Sequence, residues 1–193
     1  MKKILVLSIL AGMFALTACG GGSNYGKAIE KSEFDSRVAE FNPGAHAMDL
    51  IKIETKGHAK TDIPGQEMDI DLGCTLTPDK EPTTESERAA ASLIASVDIA
   101  YVENIAKQFD EKGITRQYFV SENEAVSIVI RGELTQSVYG VSVSLKYEGD
   151  YTWNKFGMLT HGHEKIEETA SSGGETMSAT SLVDFDATYT FKA

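Results

Sequence analysis

The sequence predicts an α+β fold: a curved, half-barrel-like antiparallel sheet of about seven or eight strands, packed with one or two helices. Three observations carry this expectation. Apolar and polar residues alternate with period two from Ile51 to Leu76 and again from Ile114 to Phe191. Most of these runs are separated by turn segments of hairpin length, such as Ser121-Glu122-Asn123-Glu124 and Asn154-Lys155-Phe156-Gly157. Between the two regions lies one long stretch of helical spacing, with Leu93, Val97, Tyr101, Ile105 and Phe109 recurring at i+4. A closed eight-stranded barrel is the alternative.

The chain opens on a different kind of segment. Met1-Lys2-Lys3 is a basic start, and Ile4 to Leu16 is an apolar run shorter than the roughly 20 residues of a bilayer span, which suits a secretory signal. The run ends in Leu16-Thr17-Ala18-Cys19. This pattern resembles the lipobox of bacterial lipoproteins. The resemblance implies diacylglyceryl transfer to the Cys19 sulfur, cleavage between Ala18 and Cys19, and a further acyl chain such as palmitate on the new amino terminus. Two or more acyl chains hold a protein at a membrane stably, where one binds reversibly. The expected organisation is a signal peptide over 1–18, a lipidated cysteine and flexible spacer over 19–26, and a single extracytoplasmic domain over 27–193. Location follows from the same resemblance: the outer leaflet of the cytoplasmic membrane, or the outer membrane if the source has two.

Composition bounds the partners. The formal net charge is −11 over 193 residues. An acidic body excludes nucleic acid as an electrostatic partner and gives no basic face for anionic lipid, so the membrane contact is expected through Cys19 alone. The two cysteines are Cys19 and Cys74; with the first acylated, no intramolecular disulfide can form and the core must supply the stability.

Taken in order, Ser32 is positioned to cap a short helix from Glu33 to about Phe41, whose Phe34, Val38 and Phe41 share one face. Ile51 to Ala59 and Met68 to Leu76 read as a hairpin. With Thr61 opposite Gln66, Lys60 would face Glu67, His58 would face Asp69 and Lys56 would face Asp71. Thr84-Glu85-Ser86-Glu87 is a capping box opening a helix that runs toward Lys112, with a break expected near Ser96-Val97-Asp98 because an unbroken helix of that length, about 42 Å, is long for this domain. Then come strands over Ile114 to Val120, Ala125 to Leu134 and Tyr139 to Tyr147, with Tyr139 and Tyr147 inward. A turn is expected at Glu148-Gly149-Asp150, followed by strands over Tyr151 to Trp153, Met158 to about Glu168, and Val183 to Phe191. Ser171 to Gly174 is a loop.

No Gly-x-Ser-x-Gly elbow, phosphate-cradling glycine loop or Cys-x-x-Cys is present. His163-Glu164-Lys165-Ile166-Glu167 starts like a zinc-protease helix but has Glu where the second histidine is needed. Two sets of candidate residues remain. His161 and His163, two apart on a strand, point to one side and would hold a metal ion with His58 or a carboxylate. Tyr139, Tyr147, Tyr151 and Trp153 fall on neighbouring strands and would line an apolar cavity or fill a core. No cofactor is expected. The half-open sheet wrapping helices is similar in outline to the lipid-carrying lipoproteins of bacterial envelopes, on element order alone. The expected function is a non-catalytic, membrane-anchored binding or interaction module. Its partner is then an apolar ligand such as a lipid, or another envelope protein; an extracytoplasmic enzyme or a cell-surface structural protein is the alternative.

Overall fold

A computed structural model describes residues 25–109 and 113–192. The signal segment, Cys19 and most of the spacer lie outside the described residues. The first strand, β1 (Lys27–Ile29), leads into helix α1 (Lys31–Val38), a short helix α2 (Pro43–His46) and a 3₁₀ turn (Ala47–Asp49). Strands β2 (Leu50–Thr61), β3 (Met68–Asp71) and β4 (Cys74–Leu76) follow, then helices α3 (Glu85–Ser96) and α4 (Ile99–Ala106). The chain closes with β5 (Ile114–Val120), β6 (Val126–Val138), β7 (Val141–Trp153), β8 (Leu159–Ser172) and β9 (Glu175–Phe191). All nine strands form one antiparallel sheet in the order β1-β5-β6-β7-β8-β9-β2-β3, with β4 also on β2. The sheet is open, since β1 and β3 end it without meeting, so the closed barrel does not form.

The helices pack on one face. Phe34 of α1 is fully buried with its ring 4.8 Å from that of Tyr118. The helix starts at Lys31 rather than Glu33, on Glu30 in extended conformation with no side-chain cap, so Ser32 is not its cap. The capping box at the start of α3 is present, with Thr84 and Glu87 satisfying each other's backbone N–H groups. The break falls where the length argument put it: α3 ends at Ser96, Asp98 caps α4 by accepting from the Tyr101 N–H, and the two helices meet at 77°. That bend lets one apolar stripe follow the sheet. Ala90, Leu93, Val97, Val102, Ala106 and Phe109 are buried against the inward set Val126, Ile128, Ile130, Val183 and Phe185.

Two expectations are corrected. The hairpin pairs Thr61 with Met68, Lys60 with Asp69 and His58 with Asp71, two residues away from the expected register. Asp62 leaves the hairpin to accept a hydrogen bond from the Thr180 N–H of β9, which lengthens the loop. Because side chains alternate with period two, a shift of two leaves the same residues on the apolar face. The turn expected at Glu148-Gly149-Asp150 does not exist either; β7 runs through it as one strand of 13 residues. Gly149 is needed there for space, since a Cβ would lie 2.5 Å from the Tyr147 hydroxyl oxygen and 2.9 Å from its ring.

Strands β6 to β9 are 13, 13, 14 and 17 residues long and continue as a four-stranded extension past the ends of β5 and β2. Their tips are two-residue turns at Tyr139-Gly140 and Gly173-Gly174, all with positive φ. Lys27 of β1 pairs with Val120 at the opposite end of the sheet. Between the two ends lie the 13 residues of β7, about 40 Å at roughly 3.4 Å each.

Candidate functional site

The most concentrated polar chemistry in the core lies under the bent helix pair. β7 brings in Tyr147 and Tyr151, β8 brings in Glu164, and α4 brings in Tyr101. In register, Glu164 faces Gly149 and Tyr151 faces Gly162. The two glycines leave the sheet surface low beside the phenol rings. The hydroxyls of Tyr147 and Tyr151 are 2.8 Å apart. Tyr147 lies 3.1 Å from Glu164 Oε2, Tyr151 donates to the same oxygen, and Tyr101 also hydrogen-bonds the carboxylate. Tyr147, Tyr151 and Glu164 are all buried. Burial first, and the Glu164 charge second, push the phenols of Tyr101, Tyr147 and Tyr151 above their ordinary value, so they act as neutral donors. Beside them, Trp153 Nε1 donates to the carbonyl of Val97 at 3.3 Å, holding the break between α3 and α4 against the sheet.

The space left at this cluster, lined by Leu93, Val97, Tyr101, Leu159 and Phe185 among others, measures about 10 Å³. That is room for about one water molecule. The arrangement can therefore orient α4 and stabilise a buried carboxylate by hydrogen bonding, and it leaves no volume for a substrate between helices and sheet at this point.

The expected aromatic set is reached in part. Tyr147, Tyr151 and Trp153 come together, with Tyr151 and Trp153 stacked at 6.0 Å. Tyr139 does not join them: it sits in the β6–β7 turn with φ 51°, its side chain fully exposed. The expected inward strand starts two residues later, at Val141.

The histidines lie on the opposite face, in a lattice of carboxylates. Across the strands, His58, Asp184, His163 and Asp150 form one row, and Lys56, Asp186 and His161 form the next. His161 Nδ1 is 2.8 Å from Asp186 and Nε2 is 3.3 Å from Asp150. The Asp150 hydrogen bond first, then Asp186, outweigh burial and push the imidazole up to about 9. His161 is thus an imidazolium that donates from both nitrogens. Burial pushes His163 the other way, below its ordinary value. The Asp150 carboxyl, despite burial that would raise it, is held low by His161, His163 and the Tyr25 hydroxyl. His58 Nε2 is paired with Asp69 at 2.9 Å.

The metal set of His161, His163 and His58 is consequently not assembled. Among the described residues no three His, Cys, Asp or Glu side chains are placed to hold a metal ion. The physical reason is competition: each lone pair His161 would offer a metal is already protonated and turned to a carboxylate. Cys74 is a free thiol 3.1 Å from the Thr55 hydroxyl, on the apolar side of the sheet.

Glu164 and Tyr101 are the site residues that the sequence reading left out. The signal was present. Alternation that sends His161 and His163 outward sends Gly162, Glu164 and Ile166 inward, and a carboxylate on an apolar strand face calls for donors opposite it. No family model, curated protein or solved structure matches the chain.

Proposed function

We propose that this chain is a lipid-anchored, non-catalytic interaction module of the bacterial cell envelope. It is held through acyl chains on Cys19 at the outer leaflet of the cytoplasmic membrane, or at the outer membrane of a diderm cell. The observation that carries the choice of an interaction module over a lipid carrier is the interior. A carrier of this outline would hold several hundred Å³ of cargo between sheet and helices, whereas the space at the tyrosine cluster there is about 10 Å³. Two larger spaces, about 260 Å³ beside Arg131 and Lys146 and about 540 Å³ beside Lys80 and Glu87, have charged residues in their lining. What the chain offers instead is surface, in the extension of β6 to β9. The amino-terminal end of the domain lies at the other end of the sheet, so an anchor there leaves the extension about 40 Å away, pointing off the membrane toward other envelope components.

Two measurements test this. Replacing Cys19 with Ser should move the protein from the membrane fraction to the soluble fraction with its melting temperature unchanged; retention at the membrane would overturn the anchor. Native mass spectrometry of the released Cys19→Ser protein, purified without detergent, should show the polypeptide mass alone. A bound lipid would restore the carrier, with α3 and α4 as its lid.

A further inference from the structure

On the inner face, past Phe109 and its contact with Gly132 and Tyr147, the extension carries two cross-strand rows. Leu134, Leu145, Glu168 and Ala179 form the first, and Gln136, Val143, Ala170 and Met177 the second. Building on the interaction-module reading, we propose that this face docks a cationic amphipathic segment of a partner protein, whose lysine or arginine meets the Glu168 carboxylate.

In these two rows Glu168 is the one acid, among apolar residues and Gln136. Leu134, Leu145, Val143 and Ala170 are half-buried and Met177 is exposed. Cross-strand neighbours of Glu168 are Leu145 and Ala179, and its neighbours along β8 are Ile166 and Ala170. Every other ionisable residue on β8 between His161 and Glu168 has a polar or charged partner: His161 with Asp150 and Asp186, His163 facing Asp150 and Asp184, Glu164 with its tyrosines, Lys165 and Glu167 with each other. Glu168 has no ion pair or side-chain hydrogen bond to any described residue, and burial alone pushes its carboxyl up. A carboxylate half out of water among aliphatic side chains is costly until a cation arrives. This makes the face selective, because an apolar segment lacking a cation would bury the acid unpaired.

Size and charge choose the occupant. Four strands at about 4.8 Å and two rows, each taking about 7 Å along the strands, give a face of about 20 by 14 Å. That is about 300 Å², about a third of what each partner of a stable dimer buries, and its long dimension fits an amphipathic helix of about 14 residues. A second copy would set one acidic chain of net charge −11 against another, and anionic lipid is repelled in the same way. The chain's own spacer does not reach: after cleavage, residues 19–24 span at most about 20 Å from a start at the far end of the sheet.

The test uses the purified full chain and two synthetic helical peptides of about 14 residues, each with a leucine face, one centred on lysine and the other on glutamate. Fluorescence anisotropy should show the lysine peptide binding wild type at least about tenfold more tightly than the glutamate peptide. Glu168→Gln should remove the difference and Glu168→Lys should reverse it, with both variants melting as wild type does. No binding, equal binding of the two peptides, or an order that survives Glu168→Lys overturns the proposal. So does a dimer in sedimentation equilibrium that Met177→Glu dissociates, which would assign the face to a second copy, or flotation with phosphatidylglycerol vesicles that Met177→Glu abolishes, which would assign it to lipid. A failure here accompanied by a ligand-free native mass and Cys19-dependent membrane retention leaves the interaction-module reading in place and moves its contact elsewhere.

Discussion

The hydroxyls of Tyr147 and Tyr151 lie 2.8 Å apart and converge on one oxygen of Glu164. Each phenol has one proton to give, so the carboxylate depends on all its donors at once, Tyr101 included. Tyr151→Phe should therefore cost about 1–3 kcal/mol in urea unfolding, since it leaves a buried acceptor short of a donor. Replacing the whole set, with Glu164→Leu and all three tyrosines changed to Phe, should recover most of that loss, because an apolar cluster has nothing left to satisfy. A quadruple variant less stable than Tyr151→Phe would mean that the phenols hold the helices by some other contact.

The same cluster sets an alkaline limit. The phenols of Tyr147 and Tyr151 are raised by burial and by the Glu164 charge. A group whose folded value is raised contributes stability fully below its unfolded value, and that stability is lost as pH climbs past it. Unfolding should become easier above about pH 10, where unfolded tyrosine ionises. Absorbance at 295 nm and circular dichroism should then change together, and in Tyr151→Phe the steepness of the loss with pH should fall.

On the outer face His161 gives a second pH window. Its imidazole is raised from 6.5 to about 9, by Asp150 first and then Asp186. Its contribution is present in full below pH 6.5 and fades as pH rises toward 9. Urea titrations of wild type should show stability falling across that interval, and His161→Gln should flatten this part of the profile. A histidine Cε1 proton resonance titrating near 9, absent from the variant, would assign the effect to this residue.

These sites show what the sequence makes legible. Period two located β5, the start of β8 and the end of β9 because one face of each is buried, and the apolar stripe with Ser96-Val97-Asp98 located the α3–α4 break because a straight helix would leave the sheet. β8 runs on to Ser172 and β9 starts at Glu175, beyond the expected Glu168 and Val183. The failures share one cause: turn-forming residues read without knowledge of their neighbours. Glu148-Gly149-Asp150 has the composition of a turn, yet Gly149 is a strand residue that makes room for a ring two positions away. Asp62 belongs to the hairpin in sequence and to β9 in space. Pairing of Glu164 with Tyr101 joins strand and helix, and no local pattern encodes a contact between elements 63 positions apart in the chain.

Gly149→Ala tests that account directly. The added Cβ would lie 2.5 Å from the Tyr147 hydroxyl oxygen, and the ring cannot yield without leaving Tyr151 and Glu164. Overpacking of this kind costs about 1–3 kcal/mol. In a Tyr147→Phe background the hydroxyl is gone and the penalty of Gly149→Ala should shrink. Equal penalties in both backgrounds would place the strain in the backbone instead.

The tip of the extension carries the opposite kind of residue, one that the turn does not favour. Tyr139 and Gly140 occupy the two central positions with φ of 51° and 80°. Both positions of such a turn require the left-handed region, where Asn-Gly is the preferred pair and a bulky side chain is strained by roughly 1 kcal/mol. The ring recovers nothing inside the molecule, since it is fully exposed. Tyr139→Asn should consequently stabilise the protein by about 1 kcal/mol, or about 2–4 °C in Tm for a chain of this size. An exposed aromatic kept at a strained turn fits a contact made by the tip with something outside the chain. The same variant should then cross-link less to neighbouring proteins in intact cells while melting higher. Unchanged cross-linking at raised Tm would make Tyr139 an ordinary surface residue and confine contact to the sheet face behind it.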